Sequence, residues 1–291
     1  MNHLGSVPAA QPATLGLTRP AGRWHASLRL IAGLGLLGGV LLLALTAGPV
    51  APHPPQAQDL ARSQQPPAWL AGGAWENPLG TDHLGRDVLS RIIHGTRVSL
   101  LVGAGGVALA LALGLVVGLT AGYLRGWVDE AAMRLADVQL SLPYLLFVVA
   151  IVGVLGPSLR NVVLVFGVAD FPLFARMARG EALRLRAAPF VEAAVATGAS
   201  QARVLLRHLL PNMVGVIAVV AAFEMAAMIL YEAGLGFLGL SVPPTVPSWG
   251  NMLADGRNYL TTSWWIATFP GLAILLTTLG INLLGDWLRR L

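Results

Sequence analysis

The stretch VEAAVATGASQARVLLRHLLPN, residues 191–212, lies between two apolar runs and is built unlike either of them. It carries Glu192, Arg203, Arg207 and His208, and a bilayer interior makes each ionised side chain expensive, so the stretch belongs outside one. It is also regular. Pro189 opens a first helical turn, where its missing N–H costs nothing, and the alanines that follow favour helix through Thr197. Gly198 stands where the left-handed residue that ends a helix belongs. Ser200 then caps a second helix, expected to run through Leu209 and stop at Pro211. The reading is a helix–turn–helix lying along one membrane face. A carboxylate such as Glu192 offers arginine a bidentate acceptor, and small alanines beside it admit a close backbone approach, which suits docking of a soluble partner. A strap held on the membrane surface by Arg203 and Arg207 fits the spacing equally.

The rest of the chain shows what this stretch is attached to. Hydrophobic residues are 55% of 291, charged residues only 11%, and mean hydropathy is +0.69. A soluble domain carries about 25% charged residues, so this composition points to a membrane. Crossing roughly 30 Å of hydrocarbon takes about 20 apolar residues. Runs of that kind fall at 30–50, 98–124, 138–155, 162–178, 213–240 and 264–284, the fourth interrupted by Asp170 and Pro172. The expectation is an all-α integral membrane protein with about six transmembrane helices. An even number puts both termini on one side. Thirteen arginines fall on the side of the termini and of residues 191–212, six on the other, and cytoplasmic loops are the arginine-rich ones. The termini and the 191–212 stretch are therefore expected in the cytoplasm.

Organisation follows from those spans. Residues 1–29 form a cytoplasmic tail, 30–50 the first span, 51–97 an outer loop, and 98–291 a core of five spans that includes the loop 189–212. The proline- and glutamine-rich start of the outer loop disfavours helix and sheet, and residues 87–93 read as a short interfacial helix. Gly114, Gly118 and Gly122 recur four apart and suit helix packing. Glu224, Met228 and Tyr231 share one helical face; with Asp170 they are candidate translocation-pathway residues, because ionisable groups inside spans mark such paths. Hydrogen bonds or ion pairs between helices account for them as well. His83, His94, Asp82 and Asp87 match no metal-ligand spacing, so no metal site is expected. All nineteen basic residues are arginine and cysteine is absent. The chain therefore has no lysine for a phosphate-binding loop or a Schiff base and no thiol for catalysis or metal ligation. With no nucleophile or metal constellation in the spans, a non-catalytic subunit is expected, and nothing points to nucleic acid as a partner.

At the opening stretch the residues reach a family. Glu192-Ala193-Ala194, Gly198 and His208-Leu209-Leu210-Pro211 resemble the EAA loop of ABC-importer permeases, and RHLLPN resembles the dipeptide, oligopeptide and nickel branch. LGTDHLGRDVLSRIIHGTRVSL (79–100), YEAGLGFLGLSVPPTVPSWGNML (231–253) and FPGLAILLTTLGINLLGDWLRR (269–290) are similar to the C-type permeases of that branch, in order and at the right spacing. The resemblance implies a type I permease architecture. It implies a homologous second permease, two ATP-binding-cassette ATPase subunits, an extracytoplasmic solute-binding protein and the lipid bilayer as partners. Glu192, Ala193, Ala194, Gly198 and Pro211 would be the ATPase-coupling residues, and Glu232 of the EAGL motif would be structural. No cofactor is implied on this chain; ATP and magnesium would be used by the ATPases, and alternating access would move the solute. Di- or oligopeptide is the expected cargo, a nickel chelate or glutathione the alternative within the branch. A proton-coupled secondary transporter is the alternative from another class. Asp170 and Glu224 depart from the family pattern, which favours uncharged or small residues there.

Overall fold

The computed structural model describes residues 23–290, with side chains from residue 28 onward; most of the expected cytoplasmic tail, residues 1–22, lies outside them. The described residues contain no strand, only one isolated bridge between Thr81 and Asp87. Helix α1 (Arg23–Leu45) is followed, after the irregular segment 51–87, by α2 (Val88–Leu124), α3 (Gly126–Leu140), α4 (Tyr144–Leu155), α5 (Leu159–Arg186), α6 (Pro189–Ala196), α7 (Leu210–Phe237), α8 (Trp249–Gly256) and α9 (Trp265–Leu288). Among the described residues, five helices are long and apolar enough to cross a membrane. A sixth crossing exists only if α3 and α4, bent by 86° at their junction, count as one span.

That bend corrects the third expected span, 138–155. Pro143 carries no N–H and restricts the residue before it, so the helix cannot continue through Ser141-Leu142-Pro143. The 12 residues of α4 reach roughly 18 Å, well short of the hydrocarbon thickness. The interruption expected at Asp170 and Pro172 does not occur: α5 runs unbroken for 28 residues with Pro172 buried inside it. Pro172 leaves the carbonyl of Val168 without its helical donor, and Gln139 of α3 supplies one, Nε2 donating to Val168 O at 2.6 Å and to Ala169 O at 2.8 Å. A freed carbonyl at membrane depth needs such a partner.

The interfacial helix expected at 87–93 is the first two turns of α2. Asp87 caps this helix, its carboxylate accepting from Ser90 N at 2.7 Å, and 37 residues extend about 55 Å, so the capped end projects past any bilayer. Below it, the glycine stripe presses α2 onto α5. A Cβ on Gly118 would lie 2.2 Å from the carbonyl oxygen of Ala175, and one on Gly114 would lie 2.4 Å from Phe174 Cβ. The core there is Val102, Phe166, Phe174, Met228 and Leu235. Outward, α1, α4 and α7 expose Leu41, Leu42, Leu146, Val154 and Val214, as a lipid-facing surface requires.

Candidate functional site

Helix α6 hangs from the end of α5 and is tied to the bundle through Val191, which is buried with Leu185, Val204 and Leu209. Glu192, Ala193, Val195 and Ala196 are exposed on it, and Ala194 is half-buried. Gly198 is left-handed at φ +86°, as its place in the sequence predicts. Ala199 N donates to Ala194 O at 3.0 Å and Gly198 N to Val195 O at 2.9 Å, the paired bonds of a glycine-terminated helix. An open cleft of about 420 Å³ lies between Glu192, Val195 and Ala196 on one side and Tyr123 and Arg186 on the other. Arg186 stacks 5.5 Å above the Tyr123 ring and donates to the Tyr123 carbonyl at 2.7 Å. This ties the end of α5 to the end of α2 next to Glu192.

Pro211 does not stop the second helix of the loop. Residues 201–237 form one continuous helical span. A π-helical turn over Val204–Leu209 hands on to α7, with Pro211 in its first turn. The wider turn releases backbone bonds just where proline has no N–H to give. The second half of the loop 189–212 is thereby continuous with α7.

The candidate pathway residues separate. Met228 is fully buried against Gly106 and Phe166 in the core. Glu224 and Tyr231, on the same face of α7, are half-buried. Across from them stands Asp170 of α5, close enough for its carboxyl group to meet that of Glu224. Asp170 Oδ2 is buried and finds no donor among the described residues. Tyr144, absent from the sequence-based candidates, completes the group: its ring lies 4.6 Å from that of Tyr231, and its buried hydroxyl also finds no partner among the described residues. The 86° break places Tyr144 here, at the first position of α4. Three helices thus bring two carboxyls and two phenols together without a cation among the described residues. Such a group can accept hydrogen bonds from an ammonium and present ring faces to it.

Glu232 is different: it is fully buried, accepting from Ser99 Oγ at 3.0 Å and Ser241 Oγ at 2.8 Å, so it joins α2 to the segment after α7. At the head of α2, Asp82 and Asp255 surround Arg86 and Arg91. Arg86 Nε donates to Asp82 at 2.6 Å, Arg86 and Arg91 reach Asp255 at 2.9 and 3.0 Å, and Arg91 also bonds Asp82.

Comparison with known proteins agrees with this architecture. The chain is 40% identical over 295 residues to the di/tripeptide transport system permease protein DppC of Pseudomonas aeruginosa, covering 99% of this chain and 96% of that one. It is 41% identical over 269 residues to the dipeptide transport system permease protein DppC of Escherichia coli K12, with 91% and 90% covered. In solved structures, it is similar to a chain of the methionine ABC transporter MetNI in an inward-facing conformation, with TM-score 0.56 and 18% identity over 69% of this chain and 95% of that one; at that identity the likeness concerns the fold. Residues 114–291 match the model of the binding-protein-dependent transport system inner membrane component, and with the relatives above this shows that the chain belongs to that family of ABC-importer permeases.

Proposed function

We propose that this chain is one of two homologous transmembrane subunits of a bacterial inner-membrane importer for di- or oligopeptides, powered by two ATP-binding-cassette ATPases and loaded by an extracytoplasmic solute-binding protein. Both termini and α6 face the cytoplasm, as the arginine distribution requires. No cofactor resides on this chain; ATP and magnesium act on the ATPases. The observation that carries the reading is α6, an eight-residue helix outside the bundle that exposes Glu192 and small alanines while its chain continues without a break into α7. Glu192, Ala193 and Ala194 seat in an ATPase groove, Gly198 sets the turn, and Pro211 marks where the loop joins the span. Closure of the ATPases on ATP then moves α7 with α6. This couples the two sites through a differential affinity for two states of the bundle.

The translocation path runs past Asp170, Glu224, Tyr144 and Tyr231. Their acceptor-rich grouping favours the ammonium end of a peptide; dipeptide transport in the relatives' names points the same way. Met228 supports this wall from behind.

The test is solute-stimulated ATPase activity of the assembled complex with loaded binding protein, comparing wild type with Glu192→Arg. Wild type is expected to hydrolyse ATP faster with a dipeptide-loaded binding protein, and the variant to lose its ATPase subunits or its response. A Glu192→Arg complex that assembles and responds normally would show that 191–212 is a membrane strap. Parallel runs with a longer peptide, glutathione and a nickel chelate identify the cargo.

A further inference from the structure

The segment 51–87 and the head of α2 enclose a small polar cavity that the transport reading leaves unused. It is lined by His53, Asp59, Arg62, Glu76, Asn77 and Asp87, with a volume of about 160 Å³. Asn77 is 5% exposed, and its Nδ2 donates to Asp87 Oδ1 at 3.0 Å. That bond engages the amide nitrogen, while its Oδ1 is buried and without a donor among the described residues. His53 Nδ1 is buried and likewise unpartnered, 4.0 Å from Asp87 Oδ2. The ring is held there by its own backbone, His53 N donating to Ser90 Oγ at 3.0 Å.

From this geometry we propose that the cavity is a divalent-cation site, with His53 Nδ1, Asn77 Oδ1 and Asp87 Oδ2 as donors. Buried acceptors without donors cost free energy unless a cation or a donor meets them. Three carboxylates against one guanidinium make the cavity negative, and Arg62 is already held by Glu76 at 2.6 Å and Asp59 at 3.3 Å. Two donors each about 2.0–2.2 Å from one ion lie up to roughly 4.3 Å apart, so the His53–Asp87 separation of 4.0 Å lies within the reach of a single ion. Asp87 Oδ2 has lone pairs enough to keep its bond to Ser90 N and take a metal. One imidazole with two oxygens suits manganese or zinc rather than an ion that demands oxygen alone. The ion would clamp the loop after α1, the turn at Asn77 and the cap of α2 to one another. A neighbouring trio, Asp82, His83 and Asp255, also gathers its donor atoms within 4.8 Å, but both carboxylates there are committed to Arg86 and Arg91.

The test uses the full chain in its purified complex, stripped with a chelator and titrated with Mn²⁺ and with Zn²⁺. Expected are one saturable Mn²⁺ per chain and a nitrogen modulation in its pulsed EPR spectrum from one imidazole. His53→Gln is expected to weaken binding at least about tenfold, and His83→Gln to leave it unchanged. The EPR readout needs only the wild type, so it stands if a variant fails to assemble. Absence of saturable binding, a spectrum without nitrogen modulation, or equal affinity in a folded His53→Gln protein would each overturn the proposal, leaving a cavity filled by water.

Discussion

Two regions of this molecule bury acids, and they treat them oppositely. At the head of α2, Asp82 and Asp255 are interlocked with Arg86 and Arg91, the latter 2% exposed. Within the bundle, Asp170 and Glu224 face each other and two tyrosines, with no cation beside them among the described residues. Charge leaving water is costly unless it is paired. The first region meets that cost internally and so ties the irregular segment to α8; its acids serve architecture. The second leaves it unmet, which stability alone does not explain and which a passing cationic group would answer. Glu232 lies between the two, satisfied by serine hydroxyls rather than by an arginine.

Substitutions can break or sharpen that contrast. The largest effect is expected from Arg91→Ala, which leaves Asp82 and Asp255 short of a buried partner. A loss of about 3–5 kcal/mol is expected, measured by thermal or denaturant unfolding in detergent. If that variant keeps its full stability, the paired cluster is not architectural and the contrast fails. Asp170→Asn and Glu224→Gln are expected to act the other way round. Each keeps the fold's thermal midpoint but loses one charge-assisted hydrogen bond to cargo, worth about 1.5–3 kcal/mol, or about ten- to a hundredfold in peptide uptake. Uptake by vesicles and the thermal midpoint must be read on the same preparation, because a fall in both would assign these acids to structure. Gln139→Leu, which strips the donor from the Val168 carbonyl freed by Pro172, should cost about 1 kcal/mol. Smallest of all is Glu76→Gln. The hydrogen bond from Arg62 holds the Glu76 carboxyl below the usual glutamate range, and both side chains are half-exposed in water. A lowered acid stabilises the fold above its unfolded pKa and loses that contribution as pH falls through its folded one. Glu76→Gln should therefore be indistinguishable from wild type in acid and slightly less stable at neutral pH, the difference staying small because exposed pairs contribute little.

The glycines show how far local reasoning reaches. Gly198 was readable as a helix end because an alanine run, a glycine and a capping serine specify backbone geometry within ten residues. Gly114 and Gly118 were readable as packing residues but not as contacts with Ala175 and Phe174, since the partner helix lies some sixty residues away. Pro172 misled in the other direction. Proline signals a break, and whether the helix survives depends on a donor from another helix, here Gln139, that no local pattern announces. Pro211 misled for a related reason: a π-helical turn before it absorbs the missing N–H. Pro143, with the same chemistry, does break its helix, and the resulting bend brings Tyr144 to the acids. His53 and Asn77 carried no signal, being 24 residues apart in a stretch without periodicity.

Composition and period by themselves determined that this chain is a helical membrane protein, where most of its spans lie, and that a polar two-helix module interrupts them. These follow from apolar length and arginine placement, which are properties of sequence. Tertiary structure alone decided which prolines break, which acids are neutralised, and which residues meet at a site. Each of those depends on whether a distant side chain supplies a donor, an acceptor or a charge at about 3 Å, and helices far apart in sequence do the supplying.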